Sequence, residues 1–472
     1  MVPLPCKRVR PRLTRKASSG AASREAGPAA QDTTPPLQPN FMSRRRLSEL
    51  VADHGRVVLE GLPASGLAYW LSRQHPAAPT VVVCSDETRA ETLASDLRTF
   101  GVKRAAWLPG SRYTPFDPVS PDPALVGRRF ALRHALQAGR RPDVLVASAS
   151  TLMGRWMPWH TFQAATRCWR PGDEVARETL SEHCRVCGYQ RVSLVEDEGT
   201  FAVRGGIVDI YPPAASWPLR VDLFGDEIAS IKTFDPQSQR TRDEAESVCI
   251  HPIRDVIFEP ETIERAVQNI WALAEQLQAP TRQVRRTCEE IEQRHYFFGI
   301  EGLWPCFYDA TEPLGPDWLN AATVVLDEPE RLSETAGAYW ERAVSEHDKA
   351  TARHQLALPV EQHVWPPEAL AAALAARPQV RAVRLADDRT QHVLPHALSD
   401  WSTLGRALEL RRQDPNQGHI LDPLVAELER WRQKGAAIVL ACHSRGSAEK
   451  LRELLLPRGW DLPVREGLPT QR

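Results

Sequence analysis

The stretch "VVLEGLPASGLAYWL" (residues 57–71) decides the fold. A short apolar strand runs into a loop with glycines at 61 and 66, and a helical pattern follows, the opening unit of a parallel α/β sheet. The pattern G-x-x-x-x-G-K-[ST] needs a lysine for the phosphates and a hydroxyl for magnesium. Gly61 and Gly66 keep the glycine positions, but the next two residues are Leu67 and Ala68. Losing a charged hydrogen bond costs about 1.5–3 kcal/mol, or roughly one to two decades of affinity. The loop is therefore expected to be a degenerate nucleotide site that keeps its turn and has lost its chemistry.

Outward from that loop, residues 42–156 alternate strands and helices. "RVVLEGL", "TVVVCS", "RAAWLP" and "DVLVAS" are short and β-branched, as strands buried on both faces are. "DETRAETLASDLRTF" and "ALVGRRFALRHAL" read as helices between them, the first with acids in its opening turn. "PGSRYTPFDPVSPDP" carries five prolines and reads as a rigid, extended loop. "VVLDEP" returns later as a strand ending in Asp327 and Glu328, the position at which nucleotide enzymes hold magnesium. Without the lysine those acids leave negative charge facing a polyanion, so a degenerate acidic motif is expected.

Between 157 and 250 the period changes to two. "GTFAVRG", "GIVDIYP", "PLRVDLF" and "EIASIKTFD" alternate apolar and polar residues after a helix at "GDEVARETLSEHCRVCG", and "YQRVSLV" is read as a further strand, giving an inserted α+β domain with an antiparallel sheet. Arg191, Arg204 and Arg220 lie on its strands, and Arg220, Asp222 and Phe224 share one face by parity. An arginine beside an exposed aromatic is the composition of interface hot spots; the competing reading is a solvated face with Phe224 in the core. Residues 251–330 resume the α/β domain, 331–375 read as a helical linker, and 376–472 as a partial α/β domain ("VRAVRLA", "AAIVLACH") that stops before its sheet is complete.

The 472 residues carry a formal net charge of −1, which argues against whole-molecule attraction to nucleic acid. Residues 1–41 are basic, then Ala/Ser/Pro-rich, and read as a disordered extension, with Met42 as an alternative start. No apolar run reaches the roughly 18 residues of a membrane span, and no signal-peptide core opens the chain, so a cytoplasmic protein without membrane contact is expected. The nine cysteines are scattered and odd in number, which favours free thiols over a disulfide framework. "HCRVC" (His183, Cys184, Cys187) lacks the second pair a structural zinc site wants, and Asp226/Glu227 occupies a turn. No catalytic residue and no metal site is expected.

"GTFAVRGGIVDIYPP…PLRVDLFGDEIASIKTFDPQSQRT", with "WLPGSRYTPFDPVSPDPALVGRRFAL", "VLVASASTLMGRWMP" and "VVLDEPERL", strongly resembles the transcription-repair coupling factor family, Mfd, and less closely UvrB, over roughly residues 45 to 472. The resemblance implies a degenerate RecA-like α/β domain with an inserted domain that contacts UvrA. Carried across, the contacting residues are Arg204, Arg220 and Phe224, with Arg191 a weaker match to an arginine of UvrB. The family uses ATP and Mg2+ in a motor domain to release RNA polymerase stalled on damaged double-stranded DNA. No G-K-[ST] loop occurs in this chain, so no cofactor is expected for it. Two other readings stay open: a UvrB-like nucleotide-dependent protein, and a non-catalytic DNA-binding remnant whose affinity would fall with salt.

Overall fold

The computed structural model describes residues 55–62, 64–74, 79–117, 119–313, 322–385, 393–395, 402–413, 419–435, 438–442 and 444–465. The basic extension at 1–41 lies outside them. The chain lays down β1 (Arg56–Glu60), β2 (Thr80–Cys84), β3 (Ala105–Trp107) and β4 (Val144–Ser148), then the short β5 (Arg155–Trp156) and β6 (Arg167–Trp169). Six strands follow: β7 (Gln190–Arg191), β8 (Thr200–Arg204), β9 (Ile207–Ile210), β10 (Leu219–Phe224), β11 (Glu227–Phe234) and β12 (Thr241–Glu244). β13 (Val248–Ile250), β14 (Glu312–Pro313), β15 (Thr323–Asp327), β16 (Gln379–Val383) and β17 (Val393–Pro395) complete the set.

The main sheet has the order β17-β1-β16-β15-β2-β4-β3 and every pairing in it is parallel. Alternate residues of each strand enter separate cores, Val81 and Val83 on one face and Val82 and Cys84 on the other. That double burial is why these strands read as unbroken apolar runs. Helix Glu87–Thr99 starts at Asp86, whose carboxylate accepts the Arg89 N–H, and helix Pro123–Gln137 starts at Asp122 in the same way, with proline in its first turn.

Three expectations change here. The polar "linker" is core: in helix Pro329–Ala352, Leu332, Ala336 and Ala343 are buried with Leu356, Leu370 and Leu374 against the sheet. Small alanines on the inner face leave the segment polar on average, so its buried side is hidden in the sequence. "VRAVRLA" does not open a separate domain either, because β16 pairs with both β1 and β15. "AAIVLACH" forms no strand at 438–442, and Leu428, Leu455 and Trp460 make their own small cluster.

The inserted domain hangs on a ribbon formed by β6 and β13. Helix Trp159–Ala165, expected inside the insertion, instead buries Phe162 and Ala165 in the main core. The second sheet has the order β12-β11-β10-β9-β8-β7, antiparallel except for the β7–β8 pair at one edge. Helix Arg177–Val186 covers one face, burying Leu180 and Cys184 with Phe201, Val208, Ile210, Val221 and Ile231.

Candidate partner-binding site

Two places gather the residues singled out above. The first is the carboxyl edge of the parallel sheet, where α/β folds bind ligands. Gly61 turns there with φ 77°, and its N–H donates to the Val383 carbonyl at 3.0 Å. Gly66 falls inside helix Ala64–Ser72. In that helix Leu67 is 1% exposed and Ala68 is fully buried, packed with Val57, Leu59, Leu71 and Val82. The positions that would face phosphates therefore complete the apolar core.

Asp327 ends β15 and accepts from Arg89 Nε at 2.6 Å. Glu328 accepts from Arg384 Nε at 2.7 Å, with Arg331 at 3.7 Å. The missing lysine is thus compensated from within the chain, by guanidinium groups that engage both acids. Beside them the buried Glu87 accepts from the Gly110 N–H at 3.0 Å and from the hydroxyls of Ser148 and Thr151. The edge is knitted by the protein's own side chains.

The second place is the outer face of the inserted sheet. Register puts Arg220 opposite Asp209 and Lys232, and Asp222 opposite Ile207 and Ser230. Their side chains project away from the helix-covered core, on the same side as Ala202 and Arg204. Arg220 is pinned there. Its Nε and Nη2 donate to both oxygens of Asp209 at 2.8 and 2.9 Å, its Nη1 donates to the Gln239 carbonyl at 3.2 Å, and its guanidinium lies 4.7 Å from the Phe234 ring centre. Its side chain is 18% exposed and that of Asp209 only 4%.

Two hairpin tips form one end of this face. β8 and β9 join through Gly205 and Gly206, and β10 and β11 through Gly225 and Asp226. Gly225 takes φ 63° at the first turn position, which favours glycine. Gly206 is needed for closeness: a Cβ there would stand 2.7 Å from the Leu223 carbonyl oxygen, while Leu223 N–H donates to the Gly206 carbonyl at 2.8 Å. That contact binds the tips side by side. Phe224, at the second tip, is 83% exposed. Arg204, on the first, is exposed and donates from Nε to the Ser193 carbonyl at 3.1 Å. Register aligns Arg204 through Ile207 with Asp222, two residues before Phe224, so two strand spacings and two residues of rise separate the Arg204 and Phe224 backbones by about 12 Å.

The structure therefore brings Arg204, Arg220 and Phe224 to one face and leaves Arg191 off it. Arg191 is paired in register with Phe201 and so belongs to the opposite side of the sheet, on its edge strand. Of the two readings of Phe224, the exposed one holds. Asp226 and Glu227 are a solvated turn, as expected, their backbone meeting residues 174 and 175. His183, Cys184 and Cys187 are buried, with Cys187 Sγ 3.5 Å from His183 Nε2. Burial lowers His183 to about 4 and pushes the Cys184 thiol up. Among the described residues no group of three ligand-type side chains is arranged to hold a metal ion.

Two features escaped sequence reasoning. Asp209 is the anchor of Arg220; an acid inside the apolar strand "IVDIYP" was its visible signal. A disulfide joins Cys168 to Cys249 across β6 and β13, contradicting the expectation of free thiols throughout. Residues 81 apart in sequence become neighbours only once the insertion is folded.

Comparison with known proteins picks out the same inserted segment. The UvrB interaction domain family matches residues 169–255, the ribbon and the second sheet. A transcription-repair-coupling factor of Myxococcus xanthus is 33% identical over 420 residues, covering 85% of this chain and 35% of that protein. The factor of Escherichia coli strain K12 is 28% identical over 262 residues, 55% of this chain and 22% of its own length. UvrABC system protein B of Thermosipho africanus is 25% identical over 446 residues, 85% of this chain and 65% of that protein. The chain thus spans about a third or less of the coupling factors it matches. Its inserted sheet carries the UvrB interaction domain, and the chain as a whole is similar to the N-terminal region of the transcription-repair-coupling factors.

Proposed function

We propose that this chain is a non-catalytic recruitment module of transcription-coupled nucleotide excision repair, and that it binds UvrA through the tip face of its inserted domain. The observation that carries the reading is Phe224, 83% exposed beside Arg204 on a face whose inner arginine is already bonded to Asp209. A large, rigid aromatic left bare next to an arginine is costly in water and effective in a desolvated interface. Phe224 is the apolar anchor, Arg204 meets an acidic or carbonyl group of the partner, and Arg220 holds the strand that presents them. Arg191, on the other side, has no part in this contact.

The family resemblance extends the proposal. In the longer proteins a motor domain driven by ATP and Mg2+ acts on double-stranded DNA and on stalled RNA polymerase, in the cytoplasm. The present residues need no cofactor for recruitment, and the buried Leu67 and the arginine-bound Asp327 favour this reading over a UvrB-like nucleotide site. No helix of the described residues is long and apolar enough to cross a membrane. The test is calorimetric titration of the chain with purified UvrA, without nucleotide. Binding weakened tenfold or more by Phe224→Ala and by Arg204→Ala is expected; no binding to a folded chain would overturn the assignment. Salt-dependent DNA binding in its place would bring forward the remnant reading.

A further inference from the structure

From the ribbon beneath the inserted domain, we infer that Cys168 and Cys249 form a thiol–disulfide exchange site that locks and releases the neck of that domain. They lie directly opposite in β6 and β13, with Cα atoms 4.0 Å apart, and are joined by a disulfide. The same two strands lead the chain into and out of the insertion, so the bond closes the whole inserted domain into one covalent loop.

Among the described residues only Cys442, half-buried and unpaired, is as accessible as this pair. Cys168 is exposed and Cys249 half-buried, whereas Cys84, Cys184, Cys187, Cys288 and Cys306 are buried. Exchange requires a thiolate to approach one sulfur along the S–S axis, so exposure decides which bonds are exchangeable. A disulfide exposed at a junction fits the transient class found in reducing compartments better than the buried structural class.

The ribbon is also wired to both sides of the junction. Trp169 meets His183 of helix Arg177–Val186 edge-on at 5.4 Å, and Ile250 enters the core of the inserted domain. Beyond it, the Ile253 N–H donates to the Cys187 carbonyl at 2.8 Å, and Cys187 Sγ lies 3.4 Å from the carbonyl of Ala165, a residue of the main core. With the bond closed, the two strands cannot separate. With it open, the ribbon itself keeps three residue pairs of ladder, beside the contacts around it such as the Arg128–Glu198 and Arg294–Glu182 ion pairs.

The ligand is a second disulfide or dithiol, either a small molecule such as glutathione disulfide or a redox protein. In closure, one cysteine thiolate attacks the external disulfide, forming a mixed disulfide and expelling one external thiolate. The second cysteine thiolate then attacks the mixed disulfide at the protein sulfur and expels the other. Two protein thiols are oxidised, one external disulfide is reduced to two thiols, and the protons pass to solvent or to the departing thiolates. An external dithiol attacking Cys168 reverses the sequence, with Cys249 leaving as thiolate.

The test uses the full chain, equilibrated with glutathione disulfide or with dithiothreitol, alkylated while native, digested and read by mass spectrometry. A peptide pair linked through Cys168 and Cys249 is expected in the oxidised sample, with both residues alkylated in the reduced sample while circular dichroism is retained. Native trypsin cleavage after Arg167 is expected to accelerate about tenfold on reduction, because cleavage follows opening of the ribbon. In Cys168→Ser the same cleavage is indifferent to redox state. Absence of the linked peptide after oxidation, a link that resists dithiothreitol until denaturant is added, or an unchanged cleavage rate in the wild type would each overturn the inference.

Discussion

Replacing Arg220 with alanine separates a direct contact from a supporting one. The wild-type guanidinium makes two bonds to Asp209 at 2.8 and 2.9 Å, and the Asp209 side chain is 4% exposed. Truncation leaves a carboxylate buried without its counter-charge, which typically costs about 3–5 kcal/mol. The lost stacking on Phe234 adds about 1 kcal/mol. A domain is stable by only about 5–15 kcal/mol, so Arg220→Ala is expected to loosen the inserted sheet as a whole. Hydrogen–deuterium exchange of peptides spanning 207–234 would show the loss of protection, and urea unfolding its size. The double replacement Arg220→Leu with Asp209→Leu removes the orphaned charge and is expected to regain most of the stability. UvrA binding by that double variant should approach wild type, since Arg220 acts through position. Unchanged protection in Arg220→Ala together with abolished UvrA binding would refute this reasoning and make Arg220 a contact residue.

Phe224→Ala is the complementary case: stability should stay within about 0.5 kcal/mol by urea unfolding, while UvrA affinity falls tenfold or more. Gly206→Ala drives a methyl against the Leu223 carbonyl 2.7 Å away and is expected to cost about 1–3 kcal/mol, read as a lower thermal midpoint with weakened UvrA binding. Leu67→Lys with Ala68→Thr rebuilds the phosphate-loop sequence but puts an ammonium group into an apolar cluster; loss of stability without ATP binding by calorimetry is expected. Burial lowers His251 and His363 to about 3 and His183 to about 4, all below their ordinary 6.5. The unfolded chain therefore binds more protons below pH 6.5, and stability, complete above that value, is lost as pH falls toward 4 by about 1 kcal/mol per unit for each histidine. Replacing His363 by Asn should flatten part of that slope in a pH series of urea midpoints; an identical slope would exclude it as a contributor.

Much was legible in one dimension because strand and helix periods are local. The apolar runs at β1, β2, β4 and β15 announce a doubly covered parallel sheet, and the period-two segment announces the insertion. Parity alone put Arg220 and Phe224 on one face. The substitution of Leu67 and Ala68 was equally plain, since a missing charge is visible in the letters. The sequence by itself determined which elements exist and which chemistry the loop after β1 lacks.

Tertiary structure decided everything that depends on which distant segments meet. Register alone set Asp209 against Arg220, and it put Arg191 on the reverse side of the sheet from that pair. Helix Pro329–Ala352 became core because a face of small alanines buries well only when a sheet lies under it. β16 joined the sheet between β1 and β15, where unpaired strand edges on both sides could accept its hydrogen bonds. Arg89 and Arg384 reached the acids at the end of β15 from distant segments, and Cys168 found Cys249 across 81 residues. Each of these rests on a pairing of groups far apart in the chain, which folding creates and which no local period encodes.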